Sequence, residues 1–375
     1  MSYSIITHLP QHNIIHPKTH FKVLKAFHGD SILINTYDAH GQAFNILIDG
    51  GTSKTFDTVL KRELKAVLKI NLMILTHIDS DHIKGLIKFI KSNHFDASQV
   101  LHYWFNSKNI KFIISGENIS YGQAKNFEEL LIEKKVNPAK ITEGITAENT
   151  KVLADGISAV ILSPTQAILD RLYKDWEELK VQFFLPVNDV PMSKIVQSQI
   201  VRGKLNILAL ERFKPDKTVL SDIFNSSSIA MILNTFDLKL LLLADSRPEI
   251  VIAELQRLGY SANNKLKVDY VKISHHGSIN NTSNDLLDLI DCDRFIISTN
   301  GGSGKHHFPD REVIARIIHH PERVKNDYPT KRFIYLNYPL DSVEKKSGQL
   351  VCNDDFIEGK WELISNVNLY SVADE

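Results

Sequence analysis

Residues 72–92 read LMILTHIDSDHIKGLIKFIKS. The apolar block LMILT runs into His77, and Asp79, Asp81 and His82 follow at once. From His82 onward the apolar spacing of HIKGLIKFIKS becomes helical. A strand end therefore passes through four metal-capable side chains into a helix. In a tight segment, positions 77 and 79 point the same way and a turn then aims 81 and 82 at a neighbouring point. One short loop is thus expected to serve two adjacent metal ions. A competing reading makes Asp79 or Asp81 a cap on the helix begun at His82. That accounts for one aspartate but leaves two flanking histidines without a reason.

Other apolar runs end the same way. NILI stops at Asp49-Gly50-Gly51, LKLLLLA at Asp245, YVKIS at His275-His276-Gly277, and FIIST reaches Asn300-Gly301-Gly302. Polar residues gathered at strand ends are placed by a rigid scaffold, as catalytic groups commonly are. Strand patterns fall at 21–27, 30–37, 44–51, 72–77, 228–236, 238–245, 269–276, 294–300, 332–338 and 360–365. Helical patterns fall at 56–69, 82–92, 127–135, 249–259, 283–291 and 311–320. The alternation implies an α/β layered fold. The opening strands are adjacent and joined by short turns, which suggests antiparallel pairing; two mixed sheets between helices, an αββα sandwich, satisfy both signals. Residues 1–375 read as one domain, with an insertion or cap at about 165–227.

Composition sets the outer limits. The 375 residues hold 44 Lys+Arg against 44 Asp+Glu, which argues against a nucleic-acid coat and leaves room only for a local basic groove. No apolar run approaches 18 residues, so no membrane helix and no membrane partner are expected. The opening MSYSIITHLPQHN lacks the basic and apolar regions of a secretory signal, and Cys292 and Cys352 stand alone. A cytoplasmic protein is the expectation. The 16 histidines include three adjacent pairs, His275-His276, His306-His307 and His319-His320. His8, His12, His16 and His20 recur every fourth residue, but Pro10 and Pro17 interrupt any helix that would align them, so they read as an exposed segment.

The 77–82 segment resembles the HxHxDH signature of the metallo-β-lactamase fold superfamily, in an HxDxDH variant similar to the hydrolase domain of competence-type DNA-uptake (ComEC-like) proteins. The likeness continues in order through FKVLKAFHGDSILI with LIDGG, Asn225-Ser226-Ser227-Ser228, LLLLADS, VKISHHGSINNTS and STNGGSGKHHFPDREVI. It implies a metal set of His77, Asp79, Asp81, His82, Asp245 and His276, with Asp245 bridging two divalent ions, Zn or Mn, with Mg as a further candidate. It also implies catalytic roles for Asp81, holding the attacking water, and for His307, at the leaving group. Asp49, His275, Ser228 and His306 are implied as supporting or substrate-contacting groups, Asp49 by bonding a ligand histidine. Asp79 replaces the usual second histidine, which shifts the site toward hard oxygen donors. The usual third histidine has no counterpart between residues 83 and 245, where only His94 and His102 occur, and His102 reads as a packed strand residue.

The implied activity is metal-dependent hydrolysis, with a phosphodiester in DNA or RNA as the leading substrate. Lys194, Arg202, Lys204, Arg212, Lys214 and Lys217 in the inserted region suit a groove tracking a phosphate backbone. Two other readings stand beside this one: a hydrolase of a small cyclic nucleotide, lactone or ester, and a non-enzymatic module with a degenerate site. Operon-encoded protein partners are a further expectation.

Overall fold

The computed structural model describes residues 18–106, 110, 127–147, 150–174, 203–302 and 307–372. His8, His12, His16, Lys194, Arg202 and His306 lie outside them.

The apolar runs form strands because both of their faces are covered. In the LKLLLLA run, Leu240 and Leu242 enter one core cluster while Leu241 and Leu243 enter another. A two-residue side-chain period with both faces apolar gives a strand buried between layers. The strands are β1 (His20–Val23), β2 (Ile32–Tyr37), β3 (Ala43–Ile48), β4 (Ile70–Ile74), β5 (Val100–Trp104), β6 (Ile141–Thr142), β7 (Thr150–Ala154), β8 (Ile157–Ser163) and β9 (Ala230–Asn234). Then follow β10 (Lys239–Leu242), β11 (Leu266–Lys267), β12 (Tyr270–Lys272), β13 (Ile290–Asp291), β14 (Arg294–Ile297), β15 (Arg332–Leu336), β16 (Trp361–Ser365) and β17 (Leu369–Ser371).

One sheet runs β17-β1-β2-β3-β4-β5-β6 and the other β16-β15-β14-β12-β10-β9-β8-β7, with β11 and β13 paired separately. Both are mixed. Pairing is antiparallel from β17 to β3 and parallel from β3 to β6. In the second sheet it is antiparallel from β7 to β10 and parallel from β10 to β16. Phe21, Ile34, Ile46, Leu72, Ile161, Met231, Leu240 and Ile296 fill the space between the sheets. The helices cover the outer faces: Ser80–Lys91 on the first sheet, Pro248–Arg257 and Arg311–Ile318 on the second. This is the expected α/β sandwich of two mixed sheets between helices.

Some elements differ from expectation. The β7–β8 hairpin is additional, and its turn is Asp155-Gly156, a strong hairpin signal. His102 does sit on a strand, β5, but it is exposed rather than packed. His20 belongs to β1, bonded on both sides, rather than to an exposed tail. Within the stretch read as an insertion, Leu205 and Leu208 pack in the second sheet's outer core, and Arg311 donates to Gly203 O at 3.1–3.2 Å.

Two close approaches tie the metal-capable loop to its neighbours. Gly50 N donates to His82 O (2.8 Å) and Gly85 N to Gly51 O (2.9 Å), and a Cβ on Gly85 would lie 1.8 Å from Gly50 O. A Cβ on Gly29 would lie 1.8 Å from the carbonyl oxygen of Asp81. Gly29→Ala is therefore expected to push the 77–82 loop out of place and to weaken metal binding at least about tenfold, as a disturbed supporting partner does. Calorimetric titration with Mn²⁺ checks it; unchanged affinity would count against this packing.

Candidate metal centre

The Ser80–Lys91 helix starts two residues earlier than its apolar pattern suggested, so Asp81 and His82 lie in its first turn. Asp79 occupies the N-cap position, yet its side chain makes no capping hydrogen bond. The capping explanation of this aspartate therefore fails, and its carboxylate is directed elsewhere.

That direction is toward His77 Nε2, 3.7 Å away, and four imidazoles in turn surround Asp245, just past the end of β10. Asp245 Oδ2 lies 3.3 Å from His82 Nε2, 3.7 Å from His276 Nε2, 3.8 Å from His275 Nε2 and 3.9 Å from His77 Nε2. Asp79 Oδ2 is 3.7 Å from His77 Nε2, and Asp81 Oδ2 is 3.6 Å from His276 Nε2. Two donors bound about 2.0–2.2 Å from one ion are roughly 3.0–3.5 Å apart. The observed spacings are within a few tenths of an ångström of that. Nε2 of His77, His82 and His276 and Oδ1 of Asp245 are buried without a hydrogen-bond partner among the described residues. Buried polar atoms are nearly always paired, so unpaired ones facing a common point mark a place for a cation. The donor set fits divalent metal ions.

The far sides of the rings are anchored. His82 Nδ1 donates to Asp49 Oδ2 (2.8 Å), and Asp49 also accepts from Thr76 N (2.8 Å) and Thr76 Oγ1 (2.7 Å). Having given its proton to Asp49, Thr76 Oγ1 accepts from His77 Nδ1 (3.1 Å). His276 Nδ1 donates to Ser298 O (2.8 Å). With Nδ1 as donor, each Nε2 keeps its lone pair for a metal.

Asp30 was not among the sequence candidates. Asp30, His82, Asp245 and His276 have donor atoms within 4.8 Å of one another, all buried. Asp30 Oδ2 nevertheless forms an ion pair with buried Lys272, and its Oδ1 lies 3.6 Å from His276 Nδ1, the ring nitrogen turned away from Asp245. It stands behind His276, with its Oδ1 buried and without a hydrogen-bond partner among the described residues.

The remaining candidates lie further out. Ser228 is fully buried with its Oγ unpartnered among the described residues, and Ile229 N bonds Thr76 O (3.0 Å) beside it. His307 is half-buried, its Nδ1 likewise without a partner among them, and the next residue, Phe308, packs on His275 with ring centroids 5.1 Å apart. His319 and His320 bond Tyr328 and Asn284 instead.

Without metal the site holds protons. Burial alone would lower the pKa of His82, but the Asp245 and Asp49 carboxylates raise it well above the usual value. His276 is raised against burial by Asp245 and Asp30, and Asp79 is pushed up to about 7 by burial and by Asp81. His77 is held down to about 3, first by burial and then by His82. Burial would raise Asp245, but the surrounding histidines hold it well below the carboxylate range. Groups raised in the folded chain stabilise it at pH below their unfolded pKa, and lose that contribution as pH rises through the folded value. In the metal-free chain that loss falls between pH 3.8 and about 7 for Asp79, and above about pH 6.5 for His82 and His276. The same protons must leave before a metal binds, so affinity rises with pH. Titration with Zn²⁺ in buffers of different ionisation enthalpy at pH 7 is expected to show net proton release; no release would contradict this charge state.

A family model described as the metallo-beta-lactamase superfamily matches residues 24–121, the stretch carrying Asp30, Asp49 and the 77–82 loop. No curated protein matches the chain. Among solved structures, a metal-dependent hydrolase of the β-lactamase superfamily is 12% identical, with 95% of this chain and 100% of that one covered and a TM-score of 0.39. A diphosphatase from the PhnP family is 10% identical, with 94% and 97% covered and a TM-score of 0.38. A CmlA β-hydroxylase variant is 12% identical over 95% of this chain, which spans 54% of that protein, with a TM-score of 0.37. The family model supports a metallo-β-lactamase likeness over the first part of the chain, and the two mixed sheets between helices are consistent with it.

Proposed function

We propose that this chain is a metal-dependent hydrolase acting on phosphodiesters, with DNA or RNA as its substrate. The observation that carries the reading is the convergence of unpartnered imidazole Nε2 atoms on the Asp245 carboxylate, flanked by Asp79 and Asp81. Divalent ions held there by His77, Asp79, Asp81, His82, Asp245 and His276 would supply Lewis acidity to a phosphoryl oxygen and lower the pKa of water.

The chain's own residues set the rest. Asp79 and Asp81 are largely enclosed but less so than Asp245, with side chains 33% and 21% exposed against 3%. Substrate and water therefore approach from their side. Asp81 orients the attacking water, and an adjacent carboxylate takes its proton. His307, carried next to Phe308 at the rim, donates a proton to the leaving oxygen.

Exposed Lys204, Arg212, Lys214 and Lys217 favour an anionic substrate. Lys214 and Lys217 flank Asp216, whose backbone N–H bonds Asn280 Oδ1 (3.1 Å) in the loop that follows His276. Two lysines near the loop that follows His276 support a polyanionic substrate. The likeness of the HxDxDH variant to ComEC-like hydrolase domains points the same way. Among the described residues no helix is long and apolar enough to cross a membrane.

Cleavage of plasmid, single-stranded DNA, RNA and bis-p-nitrophenyl phosphate, with and without Mn²⁺ or Zn²⁺, tests the proposal. Metal-dependent cleavage that Asp81→Ala removes at unchanged melting temperature is expected. Hydrolysis of lactones or carboxylic esters with every phosphodiester left intact would overturn it.

A further inference from the structure

We infer that His275 is itself a metal ligand, completing the shell of the ion held by His77 and Asp79 in place of the missing third histidine. The inference rests on the metal-centre reading above and adds a donor to it.

Its first support is a fixed ring orientation. Asn281 Nδ2 donates to both Asp245 O and Ser246 O, each at 3.1 Å. The amide is thereby oriented, and its Oδ1 faces His275 Nδ1 at 3.1 Å. An amide oxygen only accepts, so Nδ1 carries the proton and Nε2 is left with a free lone pair. That Nε2 lies 3.8 Å from Asp245 Oδ2, a spacing matching the 3.7 Å of His276 and the 3.9 Å of His77. All four histidines thus share one arrangement: Nδ1 donating to a fixed acceptor, Nε2 turned to Asp245.

The second support is the backbone. His275 and His276 both adopt left-handed conformations, φ +45° and +55°, and Gly277 follows at +85°. A left-handed backbone is unfavourable for any residue that carries a Cβ. Had one ligand sufficed, strain at His276 alone would be enough. The second strained residue turns the second ring toward the centre, and His275 N bonding Ala244 O (2.9 Å) holds it there.

The third support assigns the ion. The two adjacent rings are inclined at 70° with centroids 5.9 Å apart, and beyond Asp245 their Nε2 atoms have different carboxylate neighbours. His276 Nε2 faces Asp81 as well as Asp245. Among the described residues, Asp245 is the carboxylate within 4.0 Å of His275 Nε2. Asp81 has His276 Nε2 at 3.6 Å and its neighbour His82 in the same helical turn, whereas Asp79 has, among the described residues, His77 Nε2 alone at 3.7 Å. The Asp79 side is therefore the one short of a donor that His275 would supply.

The test is metal content of the full chain after dialysis against Zn²⁺, and separately Mn²⁺, in wild type and His275→Asn. Asparagine tolerates the left-handed backbone and removes Nε2. Wild type is expected to hold two ions. His275→Asn is expected to keep one and to bind the other at least about tenfold more weakly, with the melting temperature of the stripped protein unchanged. Asn281→Leu, which leaves the imidazole but removes its acceptor, is expected to weaken the same ion. Two ions at wild-type affinity in both variants would overturn the inference and leave the hydrolase reading intact. A folded wild type that binds no metal would overturn that reading, and this inference with it.

Discussion

Asp245→Asn is expected to abolish metal retention and turnover together while the chain stays folded. Four imidazole Nε2 atoms lie within 3.9 Å of its Oδ2, and its Oδ1 is buried without a partner among the described residues. An amide keeps the shape but removes the negative charge that the four imidazoles surround and presents a donor toward any metal they would hold. Turnover should fall at least about 10²–10³-fold, the loss caused by removing a single electrostatic stabiliser of a transition state. The variant also shifts the proton balance: without the carboxylate, the largest influence raising His82 and His276 is gone and both pKa values fall. Metal analysis and a nuclear magnetic resonance titration of the histidines read both effects. A variant that holds wild-type metal would remove Asp245 from the centre.

Asp49→Asn is the second large effect, and it separates support from ligation. Asp49 accepts three hydrogen bonds, from Thr76 N, Thr76 Oγ1 and His82 Nδ1, and is 1% exposed. Its φ of +56° is one asparagine tolerates, so the backbone stays unstrained. One amide oxygen cannot serve three donors. Breaking a buried charged pair costs about 3–5 kcal/mol. The denaturation midpoint should fall accordingly, and metal affinity should drop about 10–100-fold as His82 and, through Thr76, His77 lose their fixed tautomers. Unchanged affinity would show that the rings are held in place by packing alone.

Much of this arrangement is written in the sequence because burial on two faces forces a pattern. LKLLLLA must be an interior strand, and a polar residue directly after such a strand must project from the sheet edge; Asp49, His77, Asp245 and His275-His276 are found by that logic. Asp30 escapes it. Its residue precedes β2 instead of ending a strand, and its partner Lys272 looks like an ordinary alternating polar position in YVKIS, although it is buried. The role of His275 is equally hidden, because adjacent residues normally point apart. Only the left-handed backbone at both positions lets the two rings face the same carboxylate. The helix at 80–91 shows a third limit. Asp79 stands where a cap would, yet its side chain makes no capping hydrogen bond and lies 3.7 Å from His77 Nε2 instead.

The most direct test strips the chain with a chelator and restores Mn²⁺ or Zn²⁺ stepwise, following bound metal and bis-p-nitrophenyl phosphate cleavage on the same preparation. The predicted result is no cleavage in the stripped chain and activity that rises with occupancy to a plateau at about two ions per chain, as a two-metal site requires. A stripped chain cleaving at the full rate, or a fully loaded one leaving every phosphodiester intact, would contradict it.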